Sequence, residues 1–142
     1  MFLAAQNFFK KDSLLSHIPV GELVNLGGDI HHIFPKQYLV DNGFDKNQYN
    51  QVANYAYLDT PINIKIGKKA PKLYLNEALD AIKGAEDTSF KSIKSEEEFI
   101  QNLEDNCIPV EILDMDHARY AEFLEARRAK MTALIRKYYY SL

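Results

Sequence analysis

The chain changes its hydrophobic period several times, and each change predicts an element. Ile30, Ile33 and Phe34 cluster between Gly27-Gly28 and Pro35. Such a short run, β-branched or aromatic and punctuated at both ends, predicts a strand over 27–34. From position 55 the tyrosines alternate with Ala56 and Leu58, which predicts a second strand over 54–59 with Tyr55 and Tyr57 on one face. Between the two, Pro35 opens a short helix over 35–40 that Asn42-Gly43 ends, and 45–52 is polar, irregular or weakly helical.

Beyond the second strand the period becomes helical. Thr60 reads as a cap and Pro61 as the first helical residue, so 61–67 predicts a helix of about two turns. Gly67 ends it and Lys68-Lys69 follow. The stretch 71–82 begins as a turn and continues as a helix with Leu75, Leu79 and Ile82 on one side, and 84–92 is polar and loop-like. Ser95-Glu96-Glu97-Glu98 resembles a capping box that opens a helix through about Asn106, with Phe99, Ile100 and Leu103 as its buried stripe. A connector over 109–114 leads to Asp116, which caps a long helix reaching Tyr140. Tyr120, Phe123, Leu124, Met131, Leu134, Ile135 and Tyr138 recur along it at spacings of three and four and form the packing face. At the start, Phe2, Leu3, Phe8, Phe9, Leu14 and Leu15 are spaced loosely like a helical face, and Asp12 or Ser13 is placed to cap a short helical turn. No internal repeat or low-complexity segment interrupts the pattern.

Composition narrows the class. The 142 residues and 46% apolar content suit one globular domain. No apolar run approaches the roughly 20 residues of a membrane span. Met1 to Ala5 is apolar but short, with no basic residue before it, so it makes a poor signal peptide. The lone Cys107 excludes an internal disulfide and a four-cysteine zinc knuckle; it reads as a small buried apolar residue in a cytoplasmic protein. A net charge of −3 argues against a free-standing DNA binder, but the charge is uneven. Residues 31–72 carry six lysines against three aspartates, 73–125 carry fourteen acids against four bases, and 126–142 carry five bases and no acid. A phosphate-binding segment embedded in an acidic body has this pattern, and so does chance clustering on a solvated surface.

The chemistry concentrates at His31-His32. Adjacent side chains on a strand point to opposite faces, so the two imidazoles cannot share one role: one can face a metal while the other faces a substrate. Alone, such a pair reads first as ordinary histidines with ordinary hydrogen bonds. What changes that reading is order. His31-His32 is followed by a variable loop, Asn54 at the start of the second strand and Asn63 inside a short helix, nine residues further on. Asparagine is disfavoured inside a helix, which strengthens a functional reading of Asn63. Phosphodiester hydrolysis needs a base to activate water and positive charge at the phosphate. A histidine near its ordinary pKa of about 6.5 can be the base, and one divalent ion can hold the phosphate and the departing oxygen.

This order resembles the His-Asn-His (HNH) nuclease motif on the ββα-metal fold. More narrowly, Asp29 through Pro35, Ala53-Asn54-Tyr55, Asn63 through Gly67 and Pro71 through Leu75 look like the C-terminal nuclease domain of modification-dependent (type IV) restriction proteins. The resemblance implies an α+β fold. A ββα-metal core occupies about 27–76, and additional helices over about 77–142 surround it. It implies His32 as general base, His31 and Asn63 as ligands of one divalent metal ion, and Asn54 as the residue that holds the base's strand in register. Many relatives carry Asp where His31 stands, so Mn²⁺ or another transition metal is admitted beside Mg²⁺. Asp29 shares a face with His31, near the metal or simply at the strand edge. Lys65, Lys68 and Lys69 are placed to contact phosphates flanking the cut. The implied activity is DNA endonuclease cleavage in a restriction or phage-defence protein. A nucleotide-dependent regulatory module precedes this domain in the family, and the chain is then a fragment of a longer protein. Two rival readings stand beside it: a catalytically muted nuclease fold serving as a DNA-binding or assembly module, and an RNA-directed or toxin-like nuclease with the same centre.

Overall fold

A computed structural model of the chain describes residues 1–84 and 93–142. Its elements run α1 (Phe2–Phe8), α2 (Val20–Asn25), β1 (Asp29–His32), α3 (Lys36–Asp41), α4 (Lys46–Tyr49), β2 (Tyr55–Leu58), α5 (Thr60–Ile66), α6 (Pro71–Ile82), α7 (Glu96–Asp105) and α8 (Tyr120–Tyr139). Short 3-10 turns cover Val52–Asn54, Val110–Asp114 and His117–Arg119. The fold is α+β, helices gathered around one small sheet. The loop expected over 84–92 lies, beyond Gly84, outside the described residues. No helix among the described residues is long and apolar enough to cross a membrane.

The sheet is one antiparallel pair, with Asp29 opposite Leu58, Ile30 opposite Tyr57, His31 opposite Ala56 and His32 opposite Tyr55. Residues directly opposite share a face. Asp29, His31, Ala56 and Leu58 therefore lie on one side, where Ala56 and Leu58 are buried. Ile30, His32, Tyr55 and Tyr57 lie on the other, where Ile30 is 53% exposed.

Both strands are shorter than expected. Gly27-Gly28, read as the start of β1, instead close α2, a helix the hydrophobic pattern did not predict. The Gly27 and Gly28 amides return to the carbonyls of Val24 and Leu23, and Gly27 takes φ +81°. This is a Schellman closure, which needs the left-handed residue that glycine supplies. At the other end β1 stops at His32, because the residue facing Phe34 is Asn54 in its 3-10 turn.

The helical turn expected after Asp12 or Ser13 does not form. Residues 12–19 make a loop closed by the Asp12–Pro19 bridge and the Ser13 amide to Ile18 carbonyl bond. Its backbone is satisfied by the Asn102 carboxamide, which accepts from the Leu15 amide at 2.7 Å and donates to the Ser13 and Ser16 carbonyls. With those groups paired, the loop needs no helix. Asn102 thus takes the third buried place on α7 beside Phe99 and Leu103, and Ile100 is exposed instead. Ser95 caps α7 by accepting from the Glu98 amide, and the Glu98 carboxylate accepts from the Lys94 amide at 2.6 Å. At α5 the cap position is Asp59, one residue before the expected Thr60. Asp116 caps the 3-10 turn before α8 rather than α8 itself.

One buried cluster joins the hairpin to the helices. It includes Leu14, Leu15, Ile33, Phe34, Leu58, Tyr74, Phe99, Phe123 and Met131. Phe34, just beyond β1, stacks on Phe123 and Tyr120 of α8 at 4.9 and 5.2 Å. The apolar face of α8 is buried from Tyr120 to Met131, and Leu134, Ile135 and Tyr138 are half-buried. Tyr138 meets Phe8 at the end of α1.

Candidate active site

The two histidines of β1 occupy different environments because the strand alternates. His31 lies on the face with Ala56 and Leu58, and its Nε2 is buried with no hydrogen-bond partner. Burial pushes its pKa down; the nearby Asp29 carboxylate works against this and His32 adds to it. The ring is therefore held neutral, the form in which an imidazole can donate a lone pair. His32 faces the opposite side. Its Nε2 lies 2.8 Å from Asn50 Oδ1, and the rings of Tyr49 and Tyr55 meet it edge-on at 5.8 and 5.2 Å.

Asn54 binds the two sides of the site together. It is fully buried, and its Oδ1 accepts from the Phe34 amide at 2.8 Å while its Nδ2 donates to the Phe34 carbonyl at 3.1 Å and to the Tyr49 carbonyl at 3.2 Å. Its own carbonyl accepts from the Ile33 amide at 2.7 Å. One side chain thus continues the ladder beyond His32 and ties the end of α4, next to Asn50, to the same point. Tyr74 of α6 adds a further bond, its hydroxyl donating to the Ile33 carbonyl at 2.7 Å. Complete burial raises the pKa of that phenol, so it stays a donor.

Helix α8 contributes three side chains. Tyr120 donates to the Gln48 carbonyl at 2.7 Å, and Arg128 Nη2 to Gln51 Oε1 at 2.9 Å. Arg127 is fully buried on the apolar face of the helix. Its Nη1 donates to the carbonyls of Ala53 and Tyr55, on either side of Asn54, and its Nε and Nη2 reach the Asn106 carbonyl. The Phe2 ring stacks near the guanidinium at 5.6 Å. Burial draws its pKa down to about 10, so it remains a cation at neutral pH, satisfied by carbonyl dipoles.

Asn63 sits one turn into α5, half-buried, on the helix that leaves the end of β2. Among the described residues no three His, Cys, Asp or Glu side chains converge as a metal cluster. The three lysines expected to serve together differ. Lys69 pairs with Glu77 at 2.9 Å, Lys68 is exposed, and Lys65 is half-buried in the last turn of α5. Tyr55 and Tyr57 are half-buried, and Cys107 is buried.

Sequence reasoning missed Asn50, Tyr74, Tyr120, Arg127 and Arg128 as parts of this region. Only Arg127 left a signal: it lies on the buried stripe of Tyr120, Phe123, Leu124 and Met131, where a charge is out of place. Comparison with models of protein families, with curated proteins and with solved structures gives no match to this chain.

Proposed function

We propose that the chain is a metal-dependent DNA endonuclease of the HNH type, with β1, β2 and α5 as its ββα-metal centre. The observation that carries the reading is the contrast between neighbouring imidazoles. His31 is neutral with a buried, unpartnered Nε2, and His32 is turned to the opposite face and oriented by a hydrogen bond. A buried ring nitrogen without a partner is costly unless a ligand completes it. A neutral imidazole from His31 and the carboxamide oxygen of Asn63 suit one divalent ion, Mg²⁺ or Mn²⁺, that keeps water and phosphate oxygens as its other ligands. When bound, that ion supplies charge stabilisation at the scissile phosphate and the departing 3′ oxygen. His32 accepts the proton of the attacking water, and Asn54 keeps its strand and the Asn50 loop in fixed relation. Lys68, exposed beyond α5, meets a flanking phosphate. The substrate reading, DNA cut by a modification-dependent restriction protein under a nucleotide-dependent partner module, rests on the resemblance of the motif.

The test is nicking of supercoiled plasmid with Mg²⁺, Mn²⁺ or EDTA, beside His32→Ala. Metal-dependent nicking abolished in the variant is the expected result. If no nicking occurs, Mn²⁺ binding by calorimetry, in the chain and in His31→Ala and Asn63→Ala, decides the metal centre. A chain that neither cuts nor binds metal through these residues overturns the reading in favour of a nuclease-like binding module.

A further inference from the structure

We propose that Asn50 is a positioning residue that locks His32 in its Nε2–H form and presents Nδ1 as the proton acceptor. The catalytic half of this inference rests on the nuclease reading; the tautomer rests on geometry alone. Asn50 Oδ1, 2.8 Å from His32 Nε2, is a carboxamide oxygen and can only accept. Nε2 must therefore donate. A neutral imidazole carries one N–H, so the free lone pair lies on Nδ1.

Asn50 is exposed and fills no place in the core, yet the chain around it is held on every side. Its own amide donates to the Lys46 carbonyl at 3.1 Å. The Gln48 carbonyl is bound by Tyr120, the Tyr49 carbonyl by Asn54 and the Gln51 side chain by Arg128. Gln51 also returns a bond to the Asn47 carbonyl at 2.6 Å. Asn54 and α8 thus present one exposed acceptor to His32, and the edge-on rings of Tyr49 and Tyr55 flank the imidazole. This is how a base is oriented: by a group that binds its other nitrogen.

The hydrogen bond also strengthens as the reaction proceeds. The water's proton passes to Nδ1, and its oxygen forms the new bond to phosphorus. The 3′ oxygen leaves with the electron pair of the broken P–O bond and takes a proton from solvent. The imidazolium later returns its own proton to solvent. Throughout, Nε2–H keeps donating to Asn50, and that bond becomes charge-assisted once the ring is cationic. An interaction stronger in the transition state than in the ground state raises the rate of the chemical step.

The experiment reads the ring nitrogens of ¹⁵N-histidine-labelled chain by long-range ¹H–¹⁵N correlation, at a pH where the rings are neutral. His32→Gln identifies the His32 signals. The expected result is a pyrrole-type Nε2 and a pyridine-type Nδ1 at His32, averaging toward a mixture in Asn50→Ala and restored in Asn50→Asp, which keeps an acceptor. Nicking kinetics accompany it. Asn50→Ala is expected to lower kcat by roughly 10–100-fold, part of what a general base supplies, with KM for plasmid and the thermal midpoint little changed. Asn50→Asp is expected to recover most of kcat. An Nδ1–H ring in the parent chain, a tautomer indifferent to Asn50→Ala, or an unchanged kcat overturns the proposal. A locked tautomer in a chain that neither cuts DNA nor binds metal through His31 and Asn63 overturns the nuclease reading and the catalytic half of the proposal, while the Asn50 hydrogen bond stands.

Discussion

The carboxamide of Asn54 pairs with the backbone of Phe34 in both directions, accepting from its amide at 2.8 Å and donating to its carbonyl at 3.1 Å. A side chain thereby takes the part of a strand residue at the point where β2 has not yet begun. The third bond, to the Tyr49 carbonyl, makes the same residue the link between the His32 strand and the Asn50 loop. Asn54→Ala removes the partner of one amide and two carbonyls. Each buried group left unpaired costs about 1–3 kcal/mol, partly recovered where water enters, so a loss of about 2–4 kcal/mol is expected in urea denaturation. Asn54→Asp is the sharper variant. It keeps the shape and the acceptor but cannot donate to Phe34 or Tyr49, so it should destabilise at neutral pH and recover partly in acid, where the carboxyl regains a proton.

Arg127 supports the same residue from outside. Its Nη1 holds the carbonyls of Ala53 and Tyr55, and its other nitrogens hold that of Asn106 at the end of α7. Arg127→Met preserves much of the volume and leaves three buried carbonyls without donors, for an expected loss of about 3 kcal/mol or more. Arg127→Lys keeps the charge but not the fork of donors and should recover only part of it. Because the two sets of bonds meet at adjacent residues, the double variant with Asn54→Ala should depart from additivity by about 0.5–3 kcal/mol. A purely additive cycle would show that α8 does not organise the hairpin.

These bonds also mark where sequence reading stops. The hairpin, α5, α6 and α7 were legible because local signals agree with their tertiary setting. Tyr55 to Leu58 alternate, Pro61 and Pro71 stand in the first turn of helices, and Ser95 caps. Helix α2 was not legible. It is six residues long and its end is defined by backbone closure onto Gly27-Gly28, whose glycines read equally well as the edge of a strand. The loop over 12–19 was misread because its partner, Asn102, lies on α7 far along the chain. The histidine pair and the two asparagines stand out in the sequence by type and order. What surrounds them, from Asn50 to Arg128, depends on tertiary packing that no local pattern encodes.

His17 provides a pH test away from the site. Its Nδ1 lies 3.0 Å from the Asp12 carboxylate and its Nε2 3.6 Å from that of Glu98, bridging the 12–19 loop to the start of α7. The hydrogen bond to Asp12 raises its pKa above the ordinary value, and burial opposes the rise only partly. A raised folded-state pKa means that the contribution is complete below the unfolded value of about 6.5 and is lost as pH rises through the folded value. The side chain is substantially exposed, so solvent screening limits the effect to about a few tenths of a kcal/mol. Urea midpoints of the parent chain, relative to His17→Gln, should fall slightly from pH 6 to 8. A parallel course for both chains would remove His17 from the ion pair.

The lysines after α5 separate two readings of the basic segment. Lys69 is engaged by Glu77 at 2.9 Å, whereas Lys68 is exposed. If this edge meets DNA, deleting one phosphate-binding cation lowers the slope of log affinity against log salt by roughly 0.9. Lys68→Ala should therefore weaken binding of duplex DNA and flatten its salt dependence by about that amount. Lys69→Ala should change the slope less, because its charge is already partly neutralised, and Glu77→Gln should strengthen binding by releasing Lys69. Fluorescence anisotropy with labelled duplex across a salt series, in the presence of EDTA to prevent cutting, measures all three. Slopes that none of the variants alters would assign these lysines to an ordinary solvated surface and move the search for phosphate-binding groups to Arg128, beside the Asn50 loop.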